Sequence, residues 1–372
     1  MRRVLILLIL LILPLLTGCA VTGEVENQAY ALVMGVDQTP AGGIALTIRI
    51  PRIGHRDSGG EGAVGKGEPY LVLTAAGDDY PQAMEHLQWA AARELNLSHL
   101  NLLIVSRDLA ADPAFPALIR EIATTRHLYA TAGFVVCEGR SGDFIEGQET
   151  LLGSHLSSDI SAMFRHYAAH GFIPSATFAD LYYATQSCYS DPTGLWGFPD
   201  SGEQAAAAVI ETDESALNAQ TRTASSRQYL GTALFRDGVC VGRLDGAETL
   251  CLNLLTRRVE AFGFEADGRA WALSSALPPR VRARRDGARM RIDVAVSLIS
   301  EDPGDPSGAE AALARALLQV VDRCKALRVE PFGFAAKAAA RFATLNEWRD
   351  YDWRSRFPEA DVRVTVRIAT PE

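Results

Sequence analysis

Gly231-Thr232-Ala233-Leu234-Phe235-Arg236-Asp237-Gly238-Val239-Cys240-Val241-Gly242-Arg243-Leu244-Asp245-Gly246-Ala247-Glu248-Thr249 reads as apolar segments cut by Asp-Gly dipeptides. Two such segments joined by Asp237-Gly238 predict a β-hairpin, because Asp-Gly tolerates the positive φ that tight hairpin turns need. The pattern extends to both sides. Ala206–Ile210, Tyr229–Phe235, Val239–Leu244 and Thr249–Leu255 are expected strands in quick succession, and Arg280–Arg285 and Arg289–Ile299 flank a further Asp286-Gly287 turn. Consecutive strands joined by tight turns run antiparallel, so this half is α+β and not doubly wound. Ala309 to Leu327 then sets Leu313, Leu317, Val320, Cys324 and Leu327 on one helical face. Val362, Val364, Val366 and Ile368 alternate with Arg363, Thr365 and Arg367, the period-two mark of a last strand. The C-terminal domain is therefore expected to be a β-meander followed by a long amphipathic helix and a final strand.

The first half mixes the two periodicities. Tyr30 to Val36 and the alternation of Ile44, Leu46, Ile48 and Ile50 predict two strands around a Pro40-Ala41-Gly42-Gly43 turn. Residues 54–69 are glycine-rich and charged, a loop, and Tyr70 to Thr74 resumes a strand. A helix is expected from about Pro81, capped by Asp79, with Tyr80, Met84, Leu87, Ala91 and Leu95 as its apolar stripe. Strands follow at Leu100–Val105 and Thr131–Cys137, and helices at Pro116–Thr125, near Ser158–His170 and at Thr177–Ser187. Gly, Pro, Asp and Ser dominate residues 189–204. The expected fold class is α+β and multi-domain, with mixed or antiparallel sheets and packed helices. Its divisions are a lipoprotein signal peptide at 1–18, an N-terminal domain of one or two subdomains at 19–198, a transition at 199–224 and the C-terminal domain at 225–372.

The signal rests on Arg2-Arg3, a thirteen-residue apolar run from Val4 to Leu16, and the exit Leu16-Thr17-Gly18-Cys19. The run is short for a membrane span, which needs roughly 20 apolar residues, and Pro14 interrupts it. The four exit residues resemble a bacterial lipobox, in which the Cys19 thiol takes a diacylglyceryl group and becomes the new N-terminus, where N-acylation can follow. Two acyl chains supply the double anchor that stable attachment requires, at about 0.8 kcal/mol per buried methylene. The mature chain would be tethered on the outer face of a cytoplasmic membrane.

The 372 residues are 48% hydrophobic and 22% charged, a folded globular composition. Without Arg2 and Arg3, 34 basic residues face 45 acidic ones, a net charge of −11. That balance argues against nucleic acid as a partner and against a polybasic grip on lipid. Cys137, Cys188, Cys240, Cys251 and Cys324 are odd in number and lack CxxC spacing, so they read as small core residues rather than zinc ligands, with one disulfide among them left open.

Motifs for chemistry fail on context. Gly60-Glu61-Gly62-Ala63-Val64-Gly65 matches GxGxxG, but a loop precedes it and a strand follows, whereas pyrophosphate binding needs a strand before and a helix after. His166 and His170 share a helical face without the Glu of HExxH or an evident third ligand. No GxSxG elbow occurs. The arginines at 280, 282, 284, 285, 289 and 291 alternate along a hairpin and should decorate its exposed face. No catalytic, cofactor or metal residue is assigned; the single modified residue expected is Cys19.

With the lipobox and strand order in place, the chain resembles the Ger(x)C family of spore germination lipoproteins. The likeness runs through Glu26, Ala29-Tyr30-Ala31 and Met34-Gly35-Val36-Asp37, then Ser98 to Val105. It is most specific over Gly231–Thr249, and closes with Pro331-Phe332-Gly333-Phe334, Trp348, Trp353 and Phe357-Pro358. Two features depart: Ala20-Val21 stand where the family has Trp-Asp, and Glu330 replaces an Asp before the Gly-Phe segment. The resemblance implies a non-enzymatic C subunit of a nutrient germinant receptor, without cofactor, on the inner spore membrane, associated with two integral membrane subunits of A and B type. Two rivals share the anchor. A solute-binding lipoprotein would show βαβ-built lobes around a cleft, and a surface hydrolase would show facing carboxylates.

Overall fold

The computed structural model describes residues 27–52, 70–125, 128–146, 164–186, 189–199, 227–287 and 289–371. Cys19 and the signal, the GxGxxG run, Cys188 and the strand expected at 206–210 lie outside them. The strand expected at Tyr30–Val36 is two pieces, β1 (Gln28–Tyr30) and β2 (Val33–Gln38); β3 (Ile44–Pro51) and β4 (Tyr70–Gly77) follow in antiparallel register. Helix α1 (Tyr80–Ala90) starts where Asp79 predicts, its carboxylate accepting from Gln82 N at 2.9 Å. After β5 (Glu94–Asn96) come β6 (Leu102–Ser106), α2 (Phe115–Ile122), β7 (Gly133–Cys137), α3 (Ser141–Glu146), α4 (Phe178–Gln186) and β8 (Thr193–Pro199).

Strands β2, β6, β7 and β8 are mutually parallel. Their apolar runs explain why. Leu103, Val105, Phe134 and Val136 enter one core, while Leu102, Ile104, Val135 and Cys137 enter another on the opposite face. Strands buried on both faces read as continuous apolar stretches, the habit of parallel sheets covered by helices.

The hairpin quoted first forms as expected, as β9 (Arg227–Arg236) and β10 (Val239–Leu244), but it belongs to the first sheet. The order is β10-β9-β8-β7-β6-β2-β3-β4, eight strands, with β9 antiparallel to β8. Strand pairing thus crosses the boundary expected at 199–224, and residues 227–244 do not open a separate C-terminal sheet. The physical reason is that β9 is apolar on both sides. Leu234 packs into the C-terminal core and Phe235 into the N-terminal one, so the strand serves both.

A second expectation is corrected just downstream. Thr249–Leu255 is not a strand but part of α5 (Gly246–Thr256). Asp245 accepts from Glu248 N and the Glu248 carboxylate accepts from Asp245 N, both at 2.9 Å, a complete capping box. Leu250, Cys251, Leu252, Leu254 and Leu255 are all buried, so the helix is apolar all round and carries no 3.6-residue stripe.

Strands β11 (Phe262–Ala266), β12 (Arg269–Ser275), β13 (Arg280–Asp286) and β14 (Arg289–Ser300) follow as antiparallel pairs. Then come α6 (Ser307–Leu327) and β15 (Asp361–Ala369), which pairs β14 in parallel to complete a five-stranded sheet. Leu313, Leu317, Val320 and Cys324 of α6 are buried as their spacing predicts. The long helix and final strand stand as read from sequence.

Candidate functional site

The most heavily built polar site among the described residues lies where the two sheets meet. Asp191, just before β8, and Glu330, just after α6, are 4% and 2% exposed. They bind each other through the backbone. Asp191 N donates to Glu330 O at 2.9 Å, and Glu330 N donates to the Asp191 carboxylate at 2.8 Å. The Glu330 carboxylate accepts from Phe332 N, Phe334 N and Ala335 N at 2.9, 3.1 and 3.0 Å, closing the turn that starts helix α7 (Phe334–Ala339). Arg354 reaches Asp191 at 3.2 Å and also pairs with Asp237 in the hairpin turn.

Burial raises the Glu330 pKa to about 8, outweighing three N–H donors that favour the carboxylate; nearby Asp191 pushes the same way. Burial also raises Asp191, against its bond to Glu330 N and the Arg354 charge. Perturbed carboxylates often mark reactive sites. Here both carboxylates are committed to donors of the same chain, so the arrangement joins two parts of one fold.

The aromatic residues of the closing pattern wall this joint. Phe332 and Phe334 stack at 4.9 Å between centroids, and Phe332 and Trp353 each approach Phe357, at 6.4 and 5.7 Å. Trp348, in helix α8 (Leu345–Tyr351), stacks 6.1 Å from Trp353 and 6.4 Å from Tyr189. Residues scattered over the last 42 positions thereby form one cluster.

Other sequence candidates fall apart or prove structural. Asp37 is 2% exposed and accepts from Ser141 N, Ser141 Oγ and Gly142 N at 2.8, 2.9 and 3.1 Å, fixing the start of α3. His166 and His170 do meet, with rings 4.3 Å apart and His170 Nδ1 bonded to His166 O. They line an open groove of about 770 Å³ with Phe172, Glu260, Gly263 and Ser274, but no set of three metal-binding side chains gathers among the described residues. Cys240, Cys251 and Cys324 are buried free thiols, and Cys137 is buried as well. Burial pushes the Cys240 thiol to about 11 and Cys251 to about 12, so both stay protonated and unreactive at neutral pH. Arg280, Arg282, Arg284, Arg285 and Arg289 are exposed along the hairpin, as the alternation requires; Arg291 is half-buried between Asp286 and Asp361.

Sequence reasoning missed Asp191 and Arg354 entirely, and noted Glu330 only as a departure. The available signal was a lone acidic residue set against Pro331-Phe332-Gly333-Phe334, an apolar context that an unpaired carboxylate does not tolerate.

The described residues form a mixed α+β fold whose buried polar site joins Asp191 and Glu330 across the chain. Comparisons narrow the class. Residues 22–193 match the family model described as the spore germination protein N-terminal domain. A Bacillus subtilis (strain 168) protein described as spore germination protein KC is 26% identical over 134 residues, 36% of this chain and 32% of the relative. YfkR, whose description also assigns it to spore germination, from the same organism, is 28% identical over 141 residues, 37% and 35% of the two chains. The matched stretches thus span about a third of each curated relative. The crystal structure of the GerBC protein superposes with a TM-score of 0.53 at 11% identity, covering 91% of this chain and 97% of that one, a likeness of fold. Over residues 22–193 the chain is thus similar to the spore germination protein family, and its fold to that of the GerBC protein.

Proposed function

We propose that the chain is a lipid-anchored, non-enzymatic subunit of a spore nutrient germinant receptor, needed for receptor assembly or signalling. In this reading it sits on the outer face of the inner spore membrane with two integral membrane subunits of A and B type. The observation that carries it is the junction of lipobox and family domain: Cys19 stands three positions before residue 22, where the match to the germination domain begins. Among the described residues no helix is long and apolar enough to cross a membrane, so the acyl chains on Cys19 would supply the attachment.

Replacing Cys19 by Ala in the full chain tests the anchor. The expected outcome is a shift from the detergent to the aqueous phase on partitioning, and loss of the lipid mass on the N-terminal peptide. Spores carrying Cys19→Ala or lacking the chain should lose dipicolinate release for one nutrient class while release by non-nutrient triggers persists. Unchanged release across a broad nutrient panel would count against the receptor role.

A further inference from the structure

The described chain begins at Asn27, and β1 lies at one end of the eight-stranded sheet. The registers define that end: Val33 pairs with Arg49 and Leu102, Ile50 with Leu71, and Leu102 with Gly133. Strand β1 pairs with β5 there. The last turn of α1 is fastened to the same place, since Gln88 donates to Arg93 O and accepts from Leu95 N, both at 2.9 Å. Tyr129 N donates to Leu97 O at 3.1 Å, bringing the approach to β7 alongside.

Three large apolar side chains remain uncovered around this end. Leu71 is 39% exposed, Tyr129 50%, and Trp89 in the last turn of α1 71%, more than any other large apolar side chain described. Trp196, Trp271, Trp348 and Trp353 are at most 4% exposed. Burying a tryptophan removes a large apolar area from water, so leaving this one out is a cost that an aqueous surface does not repay. Tryptophan and tyrosine rings settle at the headgroup level of bilayers, apolar body inward and polar edge to water. The tether directs this end to such a surface. Asn27 is eight positions beyond Cys19, and a fully extended chain covers at most about 3.5 Å per residue, so Asn27, next to the start of β1, stays within roughly 28 Å of the anchored residue's backbone.

We propose that this end of the first sheet faces the phospholipid bilayer, with Trp89 seated among the headgroups and Tyr129 and Leu71 beside it. The orientation rests on the Cys19 anchor proposed above. Neighbouring Arg93 and Glu94 carry opposite charges, so the contact is made by rings and not by net charge.

The test uses the full chain, purified in lipidated form and reconstituted into phosphatidylcholine vesicles with and without brominated acyl chains. Tryptophan emission should be quenched by the brominated lipid, and Trp89→Phe should abolish that quenching because the other four tryptophans are buried. Trp89 is exposed, so this variant should keep the wild-type circular dichroism and Tm. Equal quenching in Trp89→Phe and wild type, or none in either while the N-terminal peptide carries its lipid mass, would overturn the orientation alone. A missing lipid mass would instead overturn the anchor and remove the basis for the orientation.

Discussion

Asp37 illustrates how one side chain of the opening motif acts. Its carboxylate holds three buried donors of a segment about a hundred positions away, which locks α3 against β2. Asp37→Ala leaves those donors without an acceptor and should cost about 3 kcal/mol, read from the urea midpoint at pH 7. Asp37→Asn keeps one acceptor and should cost less. The motif was legible in the sequence as Met34-Gly35-Val36-Asp37, but not its task. The donors belong to Ser141 and Gly142, and no local pattern joins positions so far apart. The buried cysteines were the opposite case: their apolar neighbours already indicated packing over chemistry.

At the scale of elements, the outcome depended on how local the deciding interaction was. The Asp79 cap and the hairpin turn need only neighbours in sequence, and both formed where read. In the turn, Asp237 and Gly238 have φ of +55° and +82°, the conformation that Asp-Gly supplies. Gly231 meets a longer-range demand. Its φ is +108°, and a Cβ there would stand 2.5 Å from the Leu244 carbonyl oxygen across the hairpin. Gly231→Ala should therefore destabilise by on the order of 3 kcal/mol, measured by thermal or urea unfolding. Burial on every side erases the periodicity of helix α5, and Asp245-Gly246 has the form of a turn where Asp245 and Glu248 build a capping box. The hairpin arginines also have an element-level reading: on β13, which among the described residues pairs with β14 alone, charge discourages another strand from adding.

Across the whole molecule, β9 carries the first sheet onto the second core, and Asp191, Glu330 and Arg354 link distant parts of the chain beside its hairpin turn. This joint should make stability depend on pH. The folded Glu330 pKa of about 8 lies above its ordinary 4.5, so the folded state holds a proton that the unfolded state releases. Its contribution is fully present below about pH 4.5 and is lost as pH rises through about 8. Asp191 is shifted in the same direction and adds to the trend. The Tm should fall between pH 5 and 8, and Glu330→Gln, which cannot release a proton, should flatten that fall. An unchanged slope in the variant would assign the dependence to other groups.

The sequence by itself determined the α+β class, the hairpins, the long amphipathic helix, the final strand and the family likeness, because each is written in neighbouring residues or a short period. Only the tertiary structure decided the order of the eight strands, the seam at β9, the helical state of Thr249–Leu255 and the meeting of Asp191 with Glu330. These depend on which apolar faces find one another and on which buried polar atoms find partners. Such pairings are chosen by packing and desolvation across more than a hundred residues of chain, where local pattern has no reach.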